Sequence, residues 1–205
     1  MARNKRIDLL ASLTNGYDTV LDIGTDHGLV LKKAFQKGYI KHAIASDLRE
    51  EPLNQAKANL KNYPVSFVLS DGFKEIKEDF DLAIIAGMGA YLITDILEHA
   101  PKDKTYILQA NDKQEVLRSY LNESGFEVVD EYVVHDKFYY IVMIVKAGQM
   151  HLLEDDLYLG PKLKFKPEAK SYYQHKIKQY QKIISHADEM RQKELLKLIK
   201  IYSKL

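Results

Sequence analysis

Apolar residues come along this chain first in short solid runs and later at helical spacing. Five runs, Thr19–Ile23, Ala43–Asp47, Ser66–Ser70, Leu82–Ala86 and Tyr106–Ala110, are apolar on both faces. Such runs predict strands of a parallel sheet covered on both sides. The segments between them, Leu29–Lys37, Glu51–Asn62, Ala90–His99 and Gln114–Ser124, read as helices, and Gly125 stops the last. A short amphipathic helix over 4–14 precedes the first strand, with Ile7, Leu10, Ala11 and Leu13 on one side. Then the alternation breaks. Glu127–His135 and Tyr139–Lys146 are strand-like and joined only by His135-Asp-Lys-Phe138, which leaves no room for a helix. The fold class is therefore α/β, a Rossmann-like sheet of five parallel strands finished by an antiparallel hairpin. That ending separates a class I methyltransferase sheet from an ordinary dinucleotide fold.

Past Ala147-Gly148 runs a connector, Gln149 to Pro167, broken at Gly160-Pro161. From Glu168 the chain reads as helical. Tyr173, Ile177, Tyr180, Ile184 and Ala187 recur at four-three spacing, as do Leu195, Leu198, Tyr202 and Leu205. The polar stretch His186–Gln192 between them suits a turn, which predicts a C-terminal α-helical coiled-coil hairpin. One bent helix is the other reading. The expected division is a catalytic domain over 1–150 and a linker with helical hairpin over 151–205.

The length of 205 residues, 46% of them hydrophobic, suits one full α/β domain plus such an appendage. No apolar run is long enough for a membrane span, and the mixed segment Ile7–Leu13 is too short and polar for a signal-peptide core. A cytoplasmic protein with no membrane partner is expected. The absence of cysteine excludes disulfides and thiolate metal sites, and the seven histidines are scattered, so no metal is expected. A net charge of +1 hides an asymmetry: residues 161–205 carry 12 Lys+Arg against 4 Asp+Glu, while residues 1–160 carry 18 against 25. A basic tail on an acidic body points to a polyanionic partner such as nucleic acid. A solvated, lysine-rich helix surface is the plainer alternative.

The candidate chemistry lies at the ends of the predicted strands. Asp22-Ile-Gly-Thr-Asp-His-Gly28 is a glycine turn between strand and helix, and Asp47 closes the next strand. Together they outline a pocket for an adenosine-bearing cofactor, with Asp47 placed to hold ribose hydroxyls. A nicotinamide fingerprint would need glycine where Asp26 stands, and Asp26 would repel a pyrophosphate. S-adenosylmethionine has no phosphate and carries a sulfonium and an ammonium, which Asp22 and Asp26 suit. Either acid could instead cap the turn or the helix, and His27 could be structural. Asp71-Gly72 ends the third strand, where an acid can accept the amino hydrogens of adenine; a plain Asp-Gly turn is the alternative. The fourth strand ends in Ala86-Gly87-Met88-Gly89. Methylation of an exocyclic amine usually relies on an Asn/Asp-Pro-Pro-aromatic run there. A run without a side-chain acceptor suits a ring nitrogen, whose lone pair needs alignment more than a base. Asn111, after the fifth strand, could touch substrate or cofactor, or cap a helix.

These residues resemble a known family, the bacterial TrmK tRNA (adenine(22)-N1)-methyltransferases. The resemblance rests on Asp22–Gly28, Ala43–Asp47, Asp71-Gly72, Ala86–Gly89, Leu108–Asn111 and Leu159–Pro161, in order and at the family's spacing. It implies methyl transfer from S-adenosyl-L-methionine to N1 of an adenine in the D-arm region of tRNA, leaving S-adenosyl-L-homocysteine. It implies that Asp22, Gly24, Asp26, His27, Asp47, Asp71, Gly72, Ala86, Gly87 and Met88 hold the cofactor. Asp26, Met88 and Gly89 would border the chemistry. Asn111 with Lys162, Lys164, Lys166, Lys170, Lys176, Lys178 and Lys182 would meet the RNA. A monomer without an obligate protein partner is expected. Two departures stand out: the family usually has Glu where Asp47 stands, and often Gln-Pro-Asn where Gln109-Ala-Asn111 stands. Losing the proline is expected to loosen that loop. The alternatives are methylation of another RNA, a small molecule or a protein, or a non-catalytic protein that binds cofactor and RNA.

Overall fold

The structure, a computed structural model, describes residues 4–205. A seven-stranded sheet runs in the order β3-β2-β1-β4-β5-β7-β6. The strands are β1 (Thr19–Ile23), β2 (His42–Asp47), β3 (Val65–Leu69), β4 (Leu82–Met88), β5 (Thr105–Ala110), β6 (Phe126–His135) and β7 (Tyr139–Ala147). β1 to β5 pair in parallel, while β7 is antiparallel to both β5 and β6. The expected five parallel strands and terminal hairpin are both present. β1 and β5 are buried almost throughout, as the solid apolar runs required. β3 is only half-buried, because it lies at the sheet edge.

Helices α1 (Lys5–Ser12), α2 (Leu29–Gln36), α3 (Glu50–Leu60), α4 (Ala90–Leu97) and α5 (Gln114–Glu123) cover the sheet. One buried cluster, including Leu31, Ala34, Ala56 and Leu60, lies under α1, α2 and α3. The other, including Ile93, Leu97, Leu117 and Leu121, lies under α4 and α5. Chain order reverses between β1 and β4, and at such a switch point the loops after adjacent strands part and leave a crevice. α1 packs against α2, with Lys33 Nζ 2.9 Å from Asp8 Oδ1, and reaches β6.

The connector is more ordered than its sequence suggests. It holds α6 (Glu154–Leu159) and two single 3₁₀ turns, Leu163–Phe165 and Pro167–Ala169. Two further helices follow, α7 (Lys170–Ile184) and α8 (Glu189–Tyr202), with Asp188 capping α8 through Arg191 N at 2.8 Å. The two-helix reading of the tail holds. Tyr202, at the end of α8, meets Tyr172 and Tyr173 at the start of α7, so the pair is antiparallel. Leu205 lies beyond α8 and is half-exposed, whereas Ile201 takes the buried position. Leu159, Leu163, Ala169, Tyr172, Tyr173, Ile201 and Tyr202 share a buried cluster with β5 and β7, so the core crosses residue 150. A buried ion pair joins the two parts. Arg118 Nε on α5 donates to Glu131 Oε1 on β6 at 2.9 Å, and Glu131 Oε2 accepts from the backbone N–H groups of Lys162 and Leu163, each at 2.9 Å. Among the described residues no helix is long and apolar enough to cross a membrane.

Candidate active site

The crevice at the switch point is a cavity of about 740 Å³. Of the residues picked out from the sequence, Asp22, Gly24, Asp26, His27, Asp47, Asp71, Gly72, Ala86, Gly87, Met88 and Asn111 all line it. Gly89 does not. It is the N-cap of α4, where Ala90 N donates to Asp112 Oδ1 at 3.3 Å.

The first turn is built around Asp22. Its carboxylate is buried and accepts from Thr25 Oγ1 at 2.8 Å. Burial raises its pKa to about 6. The Thr25 hydrogen bond and the charge of Arg6 oppose that rise, while Asp47 and Asp26 add to it. Gly24 has φ +70, and a Cβ there would overlap Met88 Cε, so glycine lets the β4 end close over this turn. Asp26 also has positive φ, +50, and its side chain stays two-thirds exposed beside His27, whose Nε2 is 3.7 Å away. Asp26 is not the cap of α2. Gly28 takes that place, its N–H bonded to Thr25 O at 2.8 Å.

Asp47 is also buried. Oδ1 accepts from Arg49 N at 3.0 Å and Oδ2 from Asp26 N at 3.3 Å, which joins the β1 and β2 loops. The N-cap of α3 is Arg49, so Asp47 holds a turn and leaves its carboxylate at the cavity wall. Asp71 is exposed and 2.5 Å from Lys74 Nζ. Ser70 shapes its turn, donating to Gly72 O at 2.8 Å and accepting from Glu75 N at 3.2 Å.

β4 runs two residues further than its apolar pattern, to Met88, with a bulge at Gly87. The φ of Gly87, +82, makes the bulge possible. Asn111 fastens it from just past the end of β5: its backbone N–H donates to Met88 O at 2.8 Å and its side-chain amide to Gly87 O at 2.7 Å. Asn111 therefore does not cap a helix; it is tied to the end of β4. Lys113 is the N-cap of α5.

Among the lining residues that the sequence reading missed are Arg6, Thr25, Arg49, Ser70, Ile96 and Tyr140. A serine one residue before Asp71 was a usable signal, since that placement suits a turn. Arg6 and Tyr140 carried none, because tertiary packing alone brings them here. The basic residues also divide. Lys164 pairs with Asp156 at 2.5 Å and Lys166 with Asp130 at 2.6 Å, while Lys176 is half-buried over the Tyr180 ring. Lys162, Lys170, Lys178 and Lys182 are exposed. Among the described residues no group of three or more metal-ligating side chains could hold an ion.

An acidic, glycine-edged crevice of this kind can hold a cationic nucleoside and leave one wall, Ala86–Met88, free of reactive side chains. Comparison with known proteins agrees with that chemistry. The model of the tRNA (adenine(22)-N(1))-methyltransferase family, TrmK, matches residues 20–204. The tRNA (adenine(22)-N(1))-methyltransferase of Bacillus subtilis is 30% identical over 217 residues, covering 95% of this chain and 91% of that protein. The crystal structure of the B. subtilis m1A22 tRNA methyltransferase superposes with a TM-score of 0.82 at 25% identity, covering 98% of this chain and 97% of that one. A Streptococcus pneumoniae protein solved in complex with S-adenosyl-L-methionine superposes with a TM-score of 0.86 at 28% identity, covering 98% of both chains.

Proposed function

Since the chain belongs to the TrmK family of tRNA (adenine(22)-N(1))-methyltransferases, we infer that it transfers a methyl group from S-adenosyl-L-methionine to N1 of adenine 22 in tRNA. The observation that carries this reading is the cavity itself, where Asp22, Asp26, Asp47 and Asp71 from three strand ends meet the Ala86–Met88 edge. A cationic, phosphate-free cofactor fits that lining, and a dinucleotide does not. When bound, the cofactor supplies a methyl group made electrophilic by its sulfonium.

The remaining work belongs to the chain. Asp22 and Asp26 face the cationic amino-acid end. Asp47, fixed by two backbone N–H groups, accepts the ribose hydroxyls. Asp71 and Gly72 border the adenine end. Gly87 and Met88, held by Asn111, form the wall past which the target base must approach. No side chain from Ala86 to Gly89 can accept a proton, which suits a ring nitrogen that attacks through its own lone pair. Catalysis then rests on alignment and on nearby acids that stabilise positive charge developing on the base. The base leaves its stack to reach the wall. The exposed Lys162, Lys170, Lys178 and Lys182 hold the phosphates. The test is incubation with labelled S-adenosyl-L-methionine and unmodified tRNA, followed by mass spectrometry of the nucleosides. N1-methyladenosine at position 22 is expected; N6-methyladenosine, or no transfer, overturns the reading.

A further inference from the structure

Beside the crevice, the β6–β7 hairpin ends in a cluster of rings. β7 is antiparallel to β5, so the turn at 135–138 lies by the C-terminal end of β5, on the sheet edge where the crevice opens. Tyr140, near the start of β7, lines the crevice. Phe138 meets Tyr140 edge-on, the ring centroids 6.5 Å apart at 84°. Phe138 is 68% exposed, so a face of its ring stays open to solvent. In the same turn Asp136 is half-buried, its N–H bonded to Phe138 O at 3.0 Å, and Lys137 is exposed. Tyr139 takes the other face of β7 from Tyr140. Its ring packs against His135 at 4.4 Å and against His175 of α7 at 5.0 Å, centroid to centroid. His175, Lys178 and Lys182 recur at i, i+3 and i+7, so they share one face of α7. The hairpin thus abuts the helix face that carries these two exposed lysines.

A lone exposed ring is ordinary on a protein surface. This one stands between the crevice and a lysine face, with a lysine of its own beside it. A ligand that spans those places must bring flat faces for the ring and negative charge for the lysines. Unpaired RNA brings both, whereas a duplex keeps its base faces stacked. The tRNA reading above, on which this inference rests, supplies such a stretch. Drawing the target base out of its stack leaves each neighbouring base with one face uncovered. We propose that the hairpin tip is the docking surface for the single-stranded RNA that flanks the target base. Phe138 stacks on an adjacent base, and Lys137 holds its phosphate.

The test measures tRNA affinity over a range of salt, and S-adenosyl-L-methionine affinity, in variants of the full chain. Phe138→Ala is expected to weaken tRNA binding by about 5–100-fold, the range for one lost base–aromatic stack. The slope of log affinity against log salt should not change, because no phosphate contact is lost. Phe138→Trp is expected to keep the affinity, and Phe138→Leu, apolar but without a π-face, to lose it. Lys137→Ala should instead lower the salt slope by about one. All these variants should bind the cofactor as the unaltered chain does, which also reports an intact fold. Unchanged tRNA affinity in Phe138→Ala overturns the proposal, as does full affinity in Phe138→Leu. An unchanged salt slope in Lys137→Ala overturns the phosphate contact. Equal loss of cofactor and tRNA affinity in Phe138→Ala also overturns it, because the ring would then only support the crevice through Tyr140. So does a dimer of the unaltered chain that Phe138→Ala dissociates with tRNA affinity intact, since the ring would then meet a second copy. Failure of the unaltered protein to bind tRNA overturns the tRNA reading itself.

Discussion

Asp22 is where a single side chain sets a measurable pH dependence. Its carboxyl is held up near 6 by burial, against an ordinary value of 3.8. The folded chain thus keeps a proton there that the unfolded chain has already released. Stability conferred through Asp22 is present below about pH 4 and is lost as pH rises towards 6. The loss is at most ~3 kcal/mol, at 1.36 kcal/mol for each pH unit. Asp22→Asn is expected to flatten that part of a urea-denaturation profile between pH 4 and 7. It is also expected to weaken cofactor binding. In the unaltered protein cofactor affinity should rise as pH passes through 6, because an ammonium favours the ionised acid. An affinity flat across that range would remove Asp22 from the cationic end. Gly24 offers a second test. Gly24→Ala incurs ~1–2 kcal/mol for its left-handed backbone, and its Cβ also collides with Met88. Adding Met88→Ala should relieve the collision and leave only the backbone cost, read from the urea midpoints of the single and double variants.

At the level of elements, the ion pair between α5 and β6 governs how the tail is seated. Arg118 and Glu131 are both fully buried, and Glu131 also binds the backbone of the connector. A Cβ on Gly160 would press to 2.5 Å from Glu131 Oε2, so the chain passes close over the pair. Removing one charge leaves the other buried and unpartnered. Glu131→Gln is therefore expected to lower stability by ~3–5 kcal/mol. Where it still folds, tRNA affinity should fall more than cofactor affinity, because the connector and the start of α7 lose their anchor. A variant that binds tRNA as well as the unaltered chain would show that the tail's seating is immaterial.

Over the whole molecule the charges separate, with the acids lining the crevice and an excess of lysine on the tail. Not every tail lysine is available. Lys193, Lys197 and Lys204 pair with Glu189, Glu154 and Asp155, as Lys164 and Lys166 pair with other acids. The exposed set on α7 gives the sharper test. Replacing Lys170, Lys178 and Lys182 together by alanine should weaken tRNA binding at every sequence. It should also reduce the slope of log affinity against log salt by about one for each phosphate no longer neutralised. Cofactor binding should be unchanged. An unaltered salt slope would send the RNA to another face.

Much of this was legible in the chain alone, because strands, helices and glycine turns are written in local periods of two and 3.6 residues. The five parallel strands, the closing hairpin, the two-helix tail and the acids at the strand ends all follow from such patterns. So do most of the crevice residues that belong to a strand-end loop, since a parallel sheet gathers those loops at one edge. What local pattern does not carry is which distant segments face each other. Only packing brought Arg6 of α1 against Gln109, 103 residues away, and put Tyr140 beneath its guanidinium. Only packing showed Asn111 bonded to the β4 bulge, and Lys164 and Lys166 taken up by acids of the body and connector. The sequence by itself determined the sheet, the crevice and the sign of its lining. Tertiary structure decided which charges remain free to meet a ligand, because pairing depends on proximity in space, and neighbours in space here are remote along the chain.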